Sequence, residues 1–383
     1  MNDNKISKNS IVAKFAVPIS FLILFFLAAN FTDCDLVTFW KRRNHLTDLV
    51  VDMIPPDFSY IQKILLPLFY TIQMSVTGTV LGTFFALVLS PFGAANLGFP
   101  AVIRRILRIV IQILRSFPAL ILALTATFLF GLGTFAGTFA ITLYTFAIMA
   151  KLTYEDASAA DVKAYQALRA MGVSKYVAYI HGILPEIIPG FLTNALYLLE
   201  TNVRHSSILG YVGAGGIGLL LNEKISWLEY DKVGTILLML FLTVCVIEYF
   251  SRYLAALIRK EHTIKKEQAR LLLLFLAALF LICTFTLSLP DFSRTSPQTL
   301  RNMFAGFLQP DWSFFFSAEK DGLGYLLLET VCIAFIGTVI GAIVSAPLAF
   351  LNTKRFVPAP VSFLFNLVIM VIRSVPFLVY GLI

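Results

Sequence analysis

The sequence predicts an all-α polytopic membrane protein, and three observations carry that prediction. Hydrophobic residues make up 58% of the 383 residues and charged residues only 14%, with a mean hydropathy of +0.83. Several separate apolar runs reach the roughly 20 residues that a helix needs to cross the hydrocarbon core of a bilayer. These runs are continuous rather than alternating, which favours helices over the strands of a closed barrel. A soluble domain is therefore excluded.

The N-terminal segment, residues 1–63, is predicted to hold an anchor helix and an external loop. Lys5 and Lys8 precede about twenty mostly apolar residues from Ile11 to Phe31. The apolar run is long for a signal peptide and lacks a clear cleavage site, so we expect a retained helix with its N-terminus in the cytoplasm. A polar stretch of mixed charge follows, and we expect it to lie outside.

Eight further apolar runs follow, which gives about nine candidate crossings. They lie at about 65–92, 106–130, 135–152, 187–209, 233–257, 271–289, 324–350 and 361–383. Alternation from a cytoplasmic start places the basic groups around Arg104 and Lys260, and the pair Lys354-Arg355, inside, as the positive-inside rule requires. The net charge of +8 is thus explained by the basic residues expected on the cytoplasmic side of the membrane, and nucleic-acid binding is not expected.

Three motifs recur in the same order at an offset near 258 residues, which indicates a tandem duplication. They are Pro56–Tyr60 with Pro310–Phe314, Thr71–Gly82 with Thr330–Gly341, and Arg115-Ser-Phe-Pro118 with Arg373-Ser-Val-Pro376. Residues 64–258 would form a complete first repeat, residues 259–270 a cytoplasmic linker, and residues 271–383 a second repeat. The second repeat has no counterpart of residues 126–258. We therefore expect it to be truncated, and the chain to be inactive alone or completed by another chain.

A polar interruption between residues 155 and 190 predicts a short helix, a turn and a second short helix. The helix formers around Gln166, Ala167 and Arg169 give way to Gly172, and Leu184-Pro185 follows the second amphipathic stretch. Glycine permits the turn, and proline is expected to end or kink a helix there. Such a protruding knob can dock in a groove of a partner protein. An ordinary cytoplasmic loop is the alternative.

Charged and polar residues inside the apolar runs mark a candidate functional site. A charged side chain within a membrane is costly and by default indicates such a site. Glu200 and Arg204 are one helical turn apart and can pair. Guanidinium groups bind oxyanions in a bidentate manner. The candidate residues are Arg115, Ser116, Glu200, Asn202, Arg204 and Arg373. For Arg115, a structural arginine that reaches the interface or pairs within the bundle is the alternative.

A glycine-rich run follows, and it predicts close helix packing and an external bend. It contains Gly213, Gly215, Gly216 and Gly218. It lacks the Lys-Ser/Thr ending and the preceding strand of a phosphate-binding loop. The four cysteines and four histidines are scattered, so neither a metal site nor a catalytic constellation is expected.

The polar interruption resembles the coupling loop of ABC importer permeases. The family pattern is Glu-Ala-Ala, three residues, Gly, nine residues, Ile, one residue and Leu-Pro. Gln166 stands at the Glu position, Ala167 at the first Ala, Gly172 at the Gly, and Leu184-Pro185 at the end. Leu168 and Gly182 depart from the pattern, and Gln in place of Glu removes a charge that could pair with the ATPase.

Together with Pro55–Ser59, the Arg115 motif, Glu200-x-Asn202-x-Arg204 and the glycine run, this loop resembles the phosphonate importer permeases. The resemblance implies a type I ABC importer (MetI-like) transmembrane domain, which is a transport subunit and not an enzyme. It implies a bacterial inner membrane, a cytoplasmic ATPase dimer that binds ATP and Mg, and an extracytoplasmic protein that delivers phosphonate, phosphate or phosphite. Membrane lipid surrounds such a subunit, and another permease chain would complete it.

Two other classes of function stay open on the sequence. A secondary transporter is also built from repeats, but it uses buried acids to bind ions, and Glu200 is the main intramembrane carboxylate here. A degenerate permease without transport activity is the third possibility. Uptake that depends on ATP rather than on an ion gradient would separate the first two classes. Loss of all uptake at normal expression would favour the third.

Overall fold

The computed structural model describes residues 18–33, 51–259, 265–290, 311–317, 322–353 and 355–374, with isolated positions between 37 and 48 and between 298 and 309. Every regular element in these residues is helical, so the all-α fold class is confirmed. The start of the predicted anchor helix at 11–17, the linker residues 260–264, Pro310, Lys354 and the segment 375–383 with Pro376 lie outside the described residues.

The helices of the described residues are named here in chain order. They are α1 (Pro18–Phe31), α2 (Ile61–Gly93), α3 (Ala101–Ser116), α4 (Ala119–Phe130), α5 (Thr134–Ala159), α6 (Lys163–Ala170), α7 (Lys175–Gly182), α8 (Leu184–Leu209), α9 (Ile217–Ser226), α10 (Tyr230–Ile258), α11 (Lys266–Phe285), α12 (Leu323–Asn352) and α13 (Ala359–Ser374). Single helical turns lie at Phe58–Tyr60, Gly210–Val212 and Trp312–Phe315.

Five helices of the described ranges are long and apolar enough to cross a membrane, namely α2, α5, α10, α11 and α12. The number rises to seven if the bent pairs α3–α4 and α7–α8 each count as one span. The prediction of a multi-pass membrane protein is confirmed, while the count of about nine crossings stays a prediction.

The run at 106–130, predicted as one crossing, is broken in the structure. Helices α3 and α4 meet at an angle of 95°. Pro118 lacks an N–H and disfavours the helical conformation at the residue before it, so Phe117 is extended, with ψ of 125°. A continuous apolar run therefore does not imply a straight helix at this position.

The described residues divide into two compact units. One comprises 49–302 with 371–383, and the other comprises 1–48 with 303–370. In the smaller unit, α1 and α12 touch through aromatic rings, with ring centroids 5.1 Å apart for Phe21 and Phe335. The larger unit holds the candidate site. The four-part division predicted from the sequence stays a prediction.

Close contact between α2 and α5 forms the centre of the larger unit. A Cβ added at Gly78 would lie 2.7 Å from Cγ2 of Ile141, and one added at Gly82 would lie 2.7 Å from the carbonyl oxygen of Thr142. Small residues let helix backbones approach in this way, which is a main source of helix association in membranes. The spacing of four residues between the two glycines places both on one face of α2.

Hydroxyl side chains continue along α2 at the same four-residue spacing. Thr71, Ser75, Thr79 and Thr83 each donate a hydrogen bond to the carbonyl oxygen four residues earlier, over 3.1, 2.7, 2.6 and 2.8 Å. All four are buried. A polar group in a membrane interior is destabilising unless it is hydrogen-bonded, so these internal bonds allow a polar stripe at the bundle centre.

Candidate functional site

The predicted helix, turn and helix of the polar interruption are present as α6 and α7. Gly172 lies between them with φ of +85°, a left-handed conformation that favours glycine. Ser174 caps α7 by accepting a hydrogen bond from the N–H of Val177 at 3.4 Å. Arg169 donates from its guanidinium to the carbonyl oxygen of Val173 and so closes the turn from the other side. We call α6, the turn and α7 the coupling knob.

The coupling knob is fixed to the end of α2 and to the segment that follows it. The hydroxyl of Tyr165 donates to the carbonyl oxygen of Leu97 at 2.7 Å, and the hydroxyls of Tyr179 and Ser90 lie 3.2 Å apart. Both tyrosines are buried. A Cβ on Gly182 would come within 2.8 Å of the amide nitrogen of Tyr165, so α6 and the end of α7 touch. The knob is therefore a rigid part of the bundle.

The outer face of the coupling knob is open. Gln166, Ala167 and Gly172 are exposed, and Met171 is 71% exposed although its side chain is apolar. Of the residues predicted to couple to a partner, Gln166, Ala167 and Gly172 thus lie on this open face, and their coupling role stays a prediction.

Leu184 and Pro185 differ from the expectation. Pro185 was expected to end or kink a helix before the next crossing, but it lies in the first turn of α8, which is itself that crossing. The first turn of a helix has no internal partner for its N–H groups, so proline is accommodated there. The break falls one residue before α8, at Ile183, where α7 and α8 meet at 69°.

Five charged residues of the larger unit form a cluster, which we call the charged cluster: Glu200 and Arg204 on α8, Glu248 and Arg252 on α10, and Arg373 on α13. The predicted pairing of Arg204 with Glu200 is confirmed, and Arg204 also lies 4.0 Å from Glu248. Arg373 lies 3.2 Å from Glu200 and 3.9 Å from Glu248. Arg252 pairs with Glu248 one turn away. Three arginines thus surround two glutamates.

Burial makes this arrangement costly to disturb. The side chains of Glu200 and Glu248 are 9% and 4% exposed, whereas that of Arg373 is 44% exposed. A buried carboxylate needs compensating charge and hydrogen bonds, which the arginines supply. The excess of one positive charge leaves the cluster able to attract an anion.

A cavity of about 290 Å³ lies beside the charged cluster, between α8 and α10. Glu200, Glu248, Arg252 and Arg373 contribute to its wall, together with Ser251. The Oγ of Ser251 and the Oε2 of Glu248 are buried and have no hydrogen-bond partner among the described residues. The wall of the cavity therefore carries guanidinium groups and carboxylates side by side.

The other candidate pathway residues lie elsewhere. Asn202 points away from the cavity and donates to the hydroxyls of Thr79 and Thr145, each at 2.8 Å, which ties α8 to α2 and α5. Arg115 is exposed at the end of α3, and its place in the pathway stays a prediction beside the alternative of a structural arginine at the interface. Ser116 is also exposed and donates to the carbonyl oxygen of Ile113 at 2.7 Å.

The sequence interpretation did not single out Glu248 and Arg252. They lie in the apolar run at 233–257 and are its only charged residues. Their spacing of four residues is the same as that of Glu200 and Arg204, so the one-turn pairing rule could have found them.

The glycine-rich run forms the turn between α8 and α9. Gly213, Gly215 and Gly216 have positive φ, from 73° to 83°. A Cβ on Gly218 would lie 1.7 Å from the carbonyl oxygen of Ser207, so α9 begins in direct contact with the end of α8. The N–H of Ile217 donates to the hydroxyl of Thr71 at 2.8 Å. These contacts are those of tight packing.

A second cluster of charged residues, also not foreseen, lies at the end of α9 and in the turn that leads to α10. The Nζ of Lys224 on α9 is 2.9 Å from carboxylate oxygens of both Glu223 and Glu229, and 4.2 Å from the centre of the Trp227 ring. Burial opposes the charged form of Lys224, but hydrogen bonds to Glu229 and Glu223 outweigh it and raise the pKa of Lys224 above its ordinary value. Lys232 also bonds to Glu229, at 2.8 Å.

Acidification is expected to lower the stability that the ion pairs of Glu229 with Lys224 and Lys232 give to the folded protein. Hydrogen bonds from Lys232 and Lys224 lower the pKa of Glu229 below its ordinary value of 4.5. A carboxyl with a lowered pKa in the folded state stabilises the fold above its unfolded pKa, and that stabilisation is lost as the pH falls through the folded value. We expect the melting temperature of the detergent-solubilised protein to fall below about pH 4.5 more steeply in the wild type than in Glu229→Gln. Identical pH profiles would contradict this.

Within the described ranges, histidine, cysteine, aspartate and glutamate do not come together in any group of three or more that could hold a metal ion. His205 lies beside Arg204 and packs edge-on against Tyr144, with ring centroids 5.4 Å apart.

The protein-family pattern described as "Binding-protein-dependent transport system inner membrane component" matches residues 78–260. The phosphite transport system permease protein PtxC of Stutzerimonas stutzeri is 31% identical over 217 residues, which cover 57% of this chain and 79% of the relative. The phosphate-import permease protein PhnE of Mycolicibacterium smegmatis is 32% identical over 203 residues, which cover 53% of this chain and 38% of the relative.

A further relative, in Escherichia coli K12, is named for cryptic phosphonate transport. It is 30% identical over 115 residues, which cover 30% of this chain and 94% of the relative. Among solved structures, a chain of the MetNI methionine ABC transporter in an inward-facing conformation is 21% identical, with a TM-score of 0.47. The similarity covers 53% of this chain and 99% of that one.

Proposed function

Because the chain belongs to the family of binding-protein-dependent transport system inner membrane components, and is thus an ABC transporter permease rather than an enzyme, we propose that it imports phosphonate or a related small oxyanion. Phosphite and phosphate are the related anions named for its relatives. ATP hydrolysis by a separate subunit would drive the transport.

One observation carries the coupling part of the proposal, namely the rigid coupling knob with an open outer face. Tyr165 and Tyr179 tie the knob to the end of α2, and α8 continues from it into the bundle. A push on Gln166, Ala167 or Met171 would therefore reach the charged cluster on α8 without being absorbed by a flexible loop. The docked partner would be a cytoplasmic ATPase dimer, and ATP and Mg would be bound there rather than by this chain.

The charged cluster supports the proposed substrate class. Its cavity presents Arg252 and Arg373, and guanidinium groups pair with the oxygens of phosphonate-type anions in a bidentate manner. Glu200 and Glu248 compete for the same arginines, which suits a site that must release its ligand. An extracytoplasmic binding protein would supply the selectivity.

With the coupling knob inside the cell, the N-terminus would be cytoplasmic.

Co-purification of an ATPase with the full-length chain tests the proposed function. The matched pair of variants is Gly172→Pro and Gly131→Pro. Both glycines have positive φ and open space at the Cβ position, so proline strains both turns similarly. Only Gly172 lies in the coupling knob. We expect Gly172→Pro to retain about tenfold less of the ATPase encoded beside this gene, equivalent to about 1.4 kcal/mol of docking free energy, and Gly131→Pro to retain the wild-type amount.

The same preparations test the substrate class. ATP hydrolysis by the retained complex is measured with the cognate binding protein loaded with phosphite, methylphosphonate or methionine. We expect stimulation by the two phosphorus oxyanions and none by methionine. Equal ATPase retention by both proline variants would contradict coupling at this knob, and stimulation by methionine alone would contradict the proposed substrate.

A further inference from the structure

Helix α3 presents an open apolar stripe. Val102, Ile106 and Ile109 are 68%, 58% and 50% exposed, although all three side chains are apolar. Successive residues of a helix are about 100° apart, so these three side chains lie within about 60° of one another around the axis. On a membrane protein, a stripe of this kind is suited to contact with the acyl chains of lipids.

The other side of α3 is basic. Its arginines and its glutamine are Arg104, Arg105, Arg108, Gln112 and Arg115. At about 100° per residue, these five side chains occupy about 100° of the circumference of the helix. No acidic residue occurs in the sequence between Asp57 and Glu155. This part of the chain therefore carries positive charge that its own sequence does not neutralise.

The arginines of α3 differ in what they contact. Arg108 donates from Nε to the carbonyl oxygen of Gly93 at 2.9 Å, and its guanidinium lies 4.9 Å from the centre of the Tyr154 ring. These contacts fix α3 to the end of α2 and to α5. Arg105 is exposed, and its side chain makes no hydrogen bond or ion pair within the described part of the chain. Arg105 is thus open to a ligand.

Arg105 stands at the border between the two faces of α3. It lies three residues after Val102 and four residues before Ile109, and these spacings make side chains neighbours on a helix. A guanidinium pairs with phosphate oxygens, and apolar side chains contact hydrocarbon. The combination matches a phosphate group that carries acyl chains. A headgroup with net negative charge is favoured, because such headgroups attract basic residues at a membrane surface.

The matching helix of the predicted second repeat lacks this chemistry. At the offset of 258 residues, the first three arginines of α3 correspond to Ser362, Phe363 and Asn366 on α13. The fourth, Arg115, corresponds to Arg373. The three arginines at the start of α3 are thus not a requirement of the repeated pattern, which favours a role specific to this helix.

The start of α3 adjoins the segment that holds the coupling knob. Residues 94–100 connect α2 to α3. From the knob, the hydroxyl of Tyr165 donates to the carbonyl oxygen of Leu97, and Lys175 donates to the carbonyl oxygen of Gly98. A ligand at the start of α3 would therefore lie at the same end of the bundle as the coupling knob.

We propose that Arg105, together with Val102 and Ile109, binds an anionic phospholipid of the leaflet on the side of the coupling knob. The phosphate of the headgroup pairs with the guanidinium of Arg105, and an acyl chain lies along the apolar stripe. The bound lipid holds the start of α3 and, with it, the connection 94–100. The inference does not depend on which molecule the protein transports.

Native mass spectrometry of the full-length chain tests this proposal. The purified protein is mixed in detergent with equal amounts of phosphatidylglycerol, which is anionic, and phosphatidylcholine, which has no net charge. The lipids that stay bound are then counted for the wild type, Arg105→Gln and Arg105→Lys. Arg270→Gln is the matched control, because Arg270 is also exposed but is paired with Glu267. Size-exclusion chromatography shows that each variant is folded.

We expect the wild type to retain phosphatidylglycerol in preference to phosphatidylcholine. Arg105→Gln should retain about fivefold less phosphatidylglycerol, the factor that corresponds to about 1 kcal/mol for one basic residue near an anionic surface. Arg105→Lys, which keeps the charge, and Arg270→Gln should retain the wild-type amount. Unchanged retention in Arg105→Gln, or an equal loss in Arg270→Gln, would overturn the site.

Two further measurements distinguish a lipid from a free anion. Excess inorganic phosphate should leave phosphatidylglycerol bound, because the acyl chain holds it on the apolar stripe. Displacement to the level of Arg105→Gln would show that the site takes a free anion and would overturn the lipid proposal. Phosphatidylglycerol with a photoreactive group in its acyl chain should label Val102, Ile106 or Ile109, and labelling that spares α3 would also contradict the proposal.

Discussion

Glu248→Ala is expected to abolish most of the folded protein. Its side chain is 4% exposed and lies among Arg204, Arg252 and Arg373, which would be left with Glu200 as the one nearby acid of the charged cluster. Removing one partner of a buried ion pair destabilises a protein by about 3–5 kcal/mol, and the lower end applies here because Arg252 and Arg373 are 60% and 44% exposed and Arg204 keeps Glu200. That is a large part of the roughly 5–15 kcal/mol that stabilises a typical protein.

Size-exclusion chromatography after detergent extraction would measure this loss, with Glu267→Ala as the matched control. Glu267 forms a pair with Arg270 at a spacing of three residues, but both side chains are 71% exposed. Such pairs contribute about 0–1 kcal/mol, so the control should give the wild-type profile. Equal profiles for Glu248→Ala and Glu267→Ala would show that the charged cluster is not needed for stability.

Gly82→Leu is expected to have an effect of similar size through packing. The Cβ alone would lie 2.7 Å from the carbonyl oxygen of Thr142 and 2.8 Å from the Cβ of Thr145, and neither atom belongs to a flexible side-chain end. Overpacking a well-filled interface usually costs about 1–3 kcal/mol, and a contact with backbone lies at or above the upper end of that range. Helices α2 and α5 would have to separate, with loss of folded protein.

The predicted duplication supplies the control, because Gly341 matches Gly82 in the aligned motifs. A Cβ added at Gly341 meets no atom of the described residues within 4 Å, so the site has open space where a leucine side chain begins. Leucine also has a higher helix propensity than glycine, by up to about 1 kcal/mol. We therefore expect the isolated Gly341→Leu protein to be as stable as the wild type, with the melting temperature as the measurement. A comparable loss of folded protein in Gly82→Leu and Gly341→Leu would show that contact with α5 is not the cause of the loss at position 82.

Local features of this fold were predictable from the sequence. The coupling knob follows from helix formers interrupted by Gly172, since a glycine turn and amphipathic periodicity are both short-range signals. The Glu200–Arg204 pair follows from a spacing of one helical turn. The bend at Pro118 was not predicted. Hydropathy measures whether a run can sit in a membrane, and it does not detect a change of direction within it.

Long-range contacts of the candidate site could not be predicted in this way. Arg373 meets Glu200 across 173 residues of sequence, and Asn202 meets Thr79 across 123. Nothing in the local pattern tells which face of α8 turns toward the cavity and which toward α2. For this reason Asn202 was grouped with Glu200 and Arg204, although it faces the opposite way.

The contacts of Asn202 divide α8 mechanically into two unequal arms. Asn202 is held at Thr79 and Thr145, while the helix begins at the coupling knob and ends at the glycine-rich turn. At 1.5 Å per residue, the arm from Leu184 is about 27 Å long and the arm to Leu209 about 10 Å. If α8 tilts as one body, Asn202 is the fulcrum of a lever. A displacement at the coupling knob then appears at the far end of α8 reversed in direction and reduced two- to threefold.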